Sequence, residues 1–153
     1  MNTPMTTSTA DASSPFASWK INHAALRVPD FDAAIAWYIE KLDFRLKHSV
    51  PLAGLTFAVL SPAADDSFHL ELLAGPGVDN RSSYKDLRDS YKLAGWHHAG
   101  FRVASVDDTV DELKRRGVTI VAEPRDVVAM GLRVAFFADP WSNIFEVIQT
   151  LSN

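Results

Sequence analysis

Residues 22–30 read NHAALRVPD and residues 97–106 read HHAGFRVASV. Aligned, they set His23 against His98, Arg27 against Arg102 and Val28 against Val103, each pair 75 positions apart. The same offset places Glu71, in HLELLA, against Glu146, in IFEVIQ. A period of this size is too long for a solenoid and suits a duplicated module of one helix with several strands.

Local signals give both copies one order of elements. Residues 21–28 alternate weakly and are β-competent, and Asp30 is placed to cap a helix over 31–42, where Ala34, Ile35, Tyr38 and Leu42 recur at helical spacing. Asp43 stands where that helix must turn. Residues 44–50, 55–60 and 68–73 then read as strands. In the second copy a strand at 98–103 precedes a helix from Asp107 or Asp108 to Arg116, ended by Gly117. Strands near 118–123, 132–138 and 144–150 follow. The expectation is an α+β fold in which two βαβββ modules (19–74 and 96–150) form a cupped mixed sheet within one domain, 19–153. The linker, 75–95, predicts a short amphipathic helix over 83–93. Tyr84, Leu87 and Tyr91 share one face of it; Arg81, Lys85, Arg88 and Lys92 line another, either as a solvated face or as a grip on an anionic substrate.

Composition narrows the function classes. The chain has 153 residues, 47% of them apolar, enough for a sizeable core. A net charge of -4 offers no long-range attraction to nucleic acid or anionic membranes, which brings small-molecule partners forward. The absence of cysteine removes disulfides, thiolate nucleophiles and cysteine-type zinc sites. Residues 1–18 are rich in Ser, Thr, Ala and Pro and lack a basic start, so a disordered tail on a cytoplasmic protein is expected. No run approaches the length of a membrane span.

Strand alternation turns the repeat into a candidate site. Side chains two apart share a face, so His23, Ala25 and Arg27 point one way while Leu26 and Val28 point toward the helix. His98, Gly100 and Arg102 repeat the arrangement. Glu71 and Glu146, each flanked by apolar neighbours, also face away from their helices. Carboxylates among such strands are costly unless they meet a cation. His23, Glu71, His98 and Glu146 are therefore the expected ligands of one divalent ion, with Zn, Ni, Co, Mn and Fe all compatible. Arg27, Arg102, His69 and Trp96 are candidates for binding substrate. His97 alternates to the face opposite His98 and reads as a packing residue, and His48 has no partner in the sequence pattern.

INHAALRVPDFDAAIAWYIEKLDF, FHLELLAG, GWHHAGFRVASVDDTVDELKRRGV and FFADPWSNIFEVIQ together resemble landmarks of the vicinal oxygen chelate superfamily, across residues 19–150. That group holds glyoxalase I, methylmalonyl-CoA epimerase, extradiol dioxygenases, and fosfomycin and bleomycin resistance proteins. The resemblance implies paired modules around one metal, usually in a homodimer, with His23, Glu71, His98 and Glu146 at the ligand positions. It implies a lyase or isomerase that stabilises an enediolate formed by proton abstraction beside a carbonyl, with Glu146 or Glu71 as base and a small substrate bearing adjacent oxygen atoms. The alternatives are an Fe(II) extradiol-type dioxygenase or an antibiotic-resistance protein, either a thiol transferase or a drug binder. Two departures stand out: Asp43 where the family often has Gly, and DPWSN where DPxGN is usual, so that Ser142 replaces a Gly.

Overall fold

The computed structural model describes residues 9–79 and 81–151. Much of the expected tail, residues 1–8, lies outside them; residues 12–18 form turns that bring the rings of Phe16 and Trp19 to 4.8 Å. The expected duplicated α+β architecture is present. In the first module β1 (His23–Val28), α1 (Phe31–Leu42), β2 (Arg45–Leu52), β3 (Leu55–Ser61) and β4 (His69–Ala74) form a sheet ordered β1-β4-β3-β2. After α2 (Leu87–Ser90), the second comprises β5 (His98–Arg102), α3 (Val106–Arg115), β6 (Thr119–Val127), β7 (Leu132–Ala138) and β8 (Ile144–Thr150), ordered β5-β8-β7-β6. In each sheet the first and last strands run parallel and the other neighbours antiparallel. β1 and β5 are left as sheet edges.

The helices begin and end where short-range chemistry dictates. Asp30 accepts from the Ala33 amide at 2.7 Å, satisfying a donor that the first turn of α1 leaves free. Asp43 closes the helix in the left-handed region at φ 55°, its amide reaching back to the Ile39 carbonyl, so an Asp does take the place of a Gly there. Ser142 likewise adopts φ 66°, and its carbonyl accepts from the Tyr84 hydroxyl. α3 begins earlier than either aspartate suggests because Ser105 is the cap, accepting from the Asp108 amide. The linker helix is much shorter than the expected 83–93: it spans only Leu87–Ser90, capped by Asp86. Eleven residues of isolated helix are marginal in water, and of the expected apolar face only Tyr84 and Leu87 pack against the second module, while Tyr91 stays exposed. β6 runs through Pro124 to Val127 with two register shifts, four residues beyond the expected end.

One core joins the modules. The helix-facing residues Val28, Leu70 and Leu72 of the first sheet cluster with Val106, Val110, Phe145 and Val147 of the second. Tyr38, fully buried on α1, stands edge-on to Phe145, which is stacked between Phe101 and Phe137. Each such ring removed from water contributes about 2–3 kcal/mol. The Tyr38 hydroxyl crosses between modules and donates to Asp139 Oδ2 at 2.7 Å. Asp139 is itself 4% exposed and also accepts from the Trp141 and Asn143 amides and from Asn143 Nδ2. Burial pushes its carboxyl above the usual Asp value, against the pull of those hydrogen bonds, and burial beside it raises the Tyr38 hydroxyl well above its ordinary range. Tyr38 therefore remains a donor. Arg116 adds a second tie, bonding Asp43 at 2.8 Å and the Lys41 carbonyl.

Tyr38→Phe keeps the ring and removes the inter-module hydrogen bond, leaving Asp139 its three other donors. The expected cost is about 1–2 kcal/mol in urea unfolding. Asp139→Ala should cost more, because it strips the β7–β8 turn of its central acceptor.

Candidate metal centre

Because the apolar alternates of both sheets point into the shared core, the other alternates point outward. On the first sheet the outward face carries His23, Ala25 and Arg27 from β1 and His69, Glu71 and Leu73 from β4; Ala25 stands opposite Glu71 in register. On the second it carries His98, Gly100 and Arg102 with Ile144, Glu146 and Ile148, and Gly100 stands opposite Glu146. A β-carbon at Gly100 would sit 3.5 Å from Glu146 Oε2 and 3.0 Å from Ile148 Cδ1, so the absence of a side chain leaves room for the carboxylate.

Each face brings one imidazole to one carboxylate. His98 Nε2 lies 3.3 Å from Glu146 Oε2, and His23 Nε2 lies 3.9 Å from Glu71 Oε2. Two ligands of one cation, with bonds of about 2.1 Å at angles of about 90–110°, sit about 3.0–3.4 Å apart. The second-module pair fits that spacing and the first is slightly wider. Among the described residues neither carboxylate is paired with Lys or Arg. The glutamate side chains are 24% and 15% exposed, partly withdrawn from water yet reachable.

The four candidate ligands meet two by two, and no cluster of three or more His, Asp or Glu able to hold a metal occurs among the described residues. The two pairs stand on different sheets, both on faces turned away from the common core. A groove of about 680 Å³ between the modules, lined by Phe44, Phe68, Phe101 and Arg116, contains none of the four.

The remaining candidates divide. Arg27 spends its guanidinium on the carbonyls of Leu73 and Pro76, at 2.9 and 2.7 Å, which favours a structural role over capture of an anion. Arg102 donates to Thr150 Oγ1 at 2.8 Å. His69 shares the face of Glu71 and is held through Nδ1 by the buried Ser61 hydroxyl at 2.8 Å. Trp96 is 93% exposed. His48 falls on the same outward face, opposite Val59.

His97 corrects the sequence reading. It precedes the first residue of β5 and so escapes strand alternation; instead of packing on the opposite face, its Nδ1 meets His98 Nδ1 at 2.8 Å and its Nε2 meets Ser90 Oγ at 2.9 Å. Burial, then His98 and Arg81, lower its pKa. The repeat carried a signal for this contact. Asn22 occupies the equivalent position, and its Oδ1 meets His23 Nδ1 at 2.9 Å.

Residues 20–147 match the model of the Glyoxalase/Bleomycin resistance protein/Dioxygenase superfamily. The chain is 32% identical to the uncharacterized protein YurT of Bacillus subtilis (strain 168) over 132 residues, 85% of this chain and 98% of that one. It is 33% identical over 131 residues to a probable chloroplastic lactoylglutathione lyase of Arabidopsis thaliana, covering 83% of this chain but 35% of the plant protein. With the mitochondrial methylmalonyl-CoA epimerase of Homo sapiens it shares 28% identity over 117 residues, 76% of this chain and 65% of the epimerase. The crystal structure of a glyoxalase family protein from Enterococcus faecalis superposes with a TM-score of 0.70 at 22% identity, covering 84% of this chain and 96% of that one, a likeness of fold. With two matched βαβββ modules and a family match across nearly all of both, the chain belongs to the Glyoxalase/Bleomycin resistance protein/Dioxygenase superfamily.

Proposed function

We propose that the protein is a metal-dependent lyase or isomerase acting on a small carbonyl compound with a neighbouring oxygen, and that its site is completed by a second copy of the chain. The observation that carries this reading is the pair of outward-facing His–Glu couples at equivalent registers, each offering half of a four-ligand set. His23 and Glu71 of one copy would meet His98 and Glu146 of another, giving two sites per homodimer. The open edges of β1 and β5 support that assembly, as do the apolar residues two positions before each histidine, Ile21 and Trp96, which are 84% and 93% exposed.

A divalent cation held there would supply positive charge against the negative charge that develops on a substrate oxygen as a proton leaves the adjacent carbon. The chain's own part is to place a carboxylate beside that carbon. Glu146 or Glu71 takes the proton, since each is part-buried and free of Lys or Arg partners among the described residues. Leu73 and Phe57 beside one couple and Ile148 and Phe136 beside the other limit water at the reacting carbon. The lactoylglutathione lyase and epimerase names among the relatives support this class.

Metal-replete protein is expected to exchange solvent deuterium into the carbon beside the carbonyl of an α-oxygenated substrate. Absence of exchange across a panel of such compounds would remove the proton-transfer reading. Glu71→Gln should weaken metal affinity by about ten-fold or more, read by calorimetry; unchanged affinity would instead leave His23, His98 and Glu146 as the ligands and favour the dioxygenase and transferase alternatives. Separately, His23→Ala and His98→Ala variants, each deficient in metal binding, should on mixing regain about a quarter of wild-type capacity, because statistical heterodimers contain one intact site. No recovery despite subunit exchange would place the site within one chain.

A further inference from the structure

We propose that Asn22 and His97 are positioning residues that hold His23 and His98 in the tautomer whose Nε2 lone pair is free for a metal. The inference rests on the reading of these two histidines as ligands.

In the first module Asn22 Oδ1 only accepts, so the 2.9 Å contact requires His23 Nδ1 to carry its hydrogen. Neutral His23 then has a bare Nε2, and that atom faces Glu71. The second module reaches the same state by a longer route. Ser90, fully buried, donates its single hydroxyl hydrogen to the Leu87 carbonyl at 2.6 Å. It can therefore only accept from His97, which places a hydrogen on His97 Nε2 and leaves His97 Nδ1 as an acceptor. His98 Nδ1 then donates to it at 2.8 Å, and in neutral His98 the Nε2 that faces Glu146 carries no hydrogen.

Two unlike side chains at one position of the repeat thus do one job, a coincidence that packing alone does not require. The His98 ring also makes T-shaped contacts with His97 at 5.1 Å and with Phe136 at 5.3 Å. Orienting the second nitrogen of a ligating imidazole sets the tautomer and direction of the first. The chain through Ser90 further ties the His98 orientation to the short linker helix.

The repeat itself suggests the conservative variant: His97→Asn installs the side chain that the first module uses. The full-length protein is titrated with Co(II), following its d–d absorption as well as affinity, and the metal-free protein is examined by nitrogen-resolved imidazole NMR. Expected are Nδ1–H tautomers for His23 and His98, a loss of affinity of about ten-fold or more in Asn22→Leu and His97→Leu, and near wild-type binding in His97→Asn. The proposal is overturned if, in the metal-free protein, the neutral imidazoles of these histidines carry their single hydrogen on Nε2. It is equally overturned if both leucine variants bind Co(II) as wild type while His23→Ala and His98→Ala lose it, a result that leaves the ligand reading standing. Should the alanine variants also bind as wild type, the ligand reading falls and the proposal with it.

Discussion

The packing of the two modules through their helix-facing sides is the constraint on which the rest depends. Tyr38 on α1 reaches across to Phe145 and Asp139, and Arg116 at the end of α3 reaches back to Asp43 and the carbonyl of Lys41. Once the apolar alternates of both sheets are committed to this core, the polar alternates have one direction left. The histidines and glutamates are thereby displayed on outward faces, as two couples.

This arrangement gives two otherwise odd features a common cause. β1 and β5, which carry the histidines, are unprotected sheet edges, and natural proteins rarely leave such edges bare without a covering partner. The side chains leading into them, Ile21 and Trp96, are among the most exposed apolar groups of the described chain. An edge, an apolar flank and half of the proposed ligand set coincide twice, at positions 75 residues apart. A single copy leaves all of them unused, whereas a symmetric pair of copies would use each of them.

Much of the fold was legible because the repeat reports the same pattern twice. A strand with His, small residue and Arg on alternate positions, followed by a capped helix, was readable from alternation and from Asp30 alone. Boundaries failed where a stronger local partner stood nearby: Ser105 caps α3 and starts it ahead of the two aspartates, and β6 runs through Pro124 with two register shifts. The four candidate ligands were legible because they recur at a single offset on the first and last strands of the two modules. Their distribution between faces was not, since an amphipathic sheet reads alike whichever module covers it. His97 was missed because alternation holds only inside a strand, and it lies one residue before β5 begins.

In the proposed assembly a complete metal site exists only between two copies. Native mass spectrometry of protein loaded with Zn(II) or Co(II), across a dilution series, separates the alternatives directly. The expected result is a dimer carrying two ions and a monomer carrying none, with metal released as the dimer dissociates. A monomer that retains one tightly bound ion at dilutions where no dimer survives would contradict it.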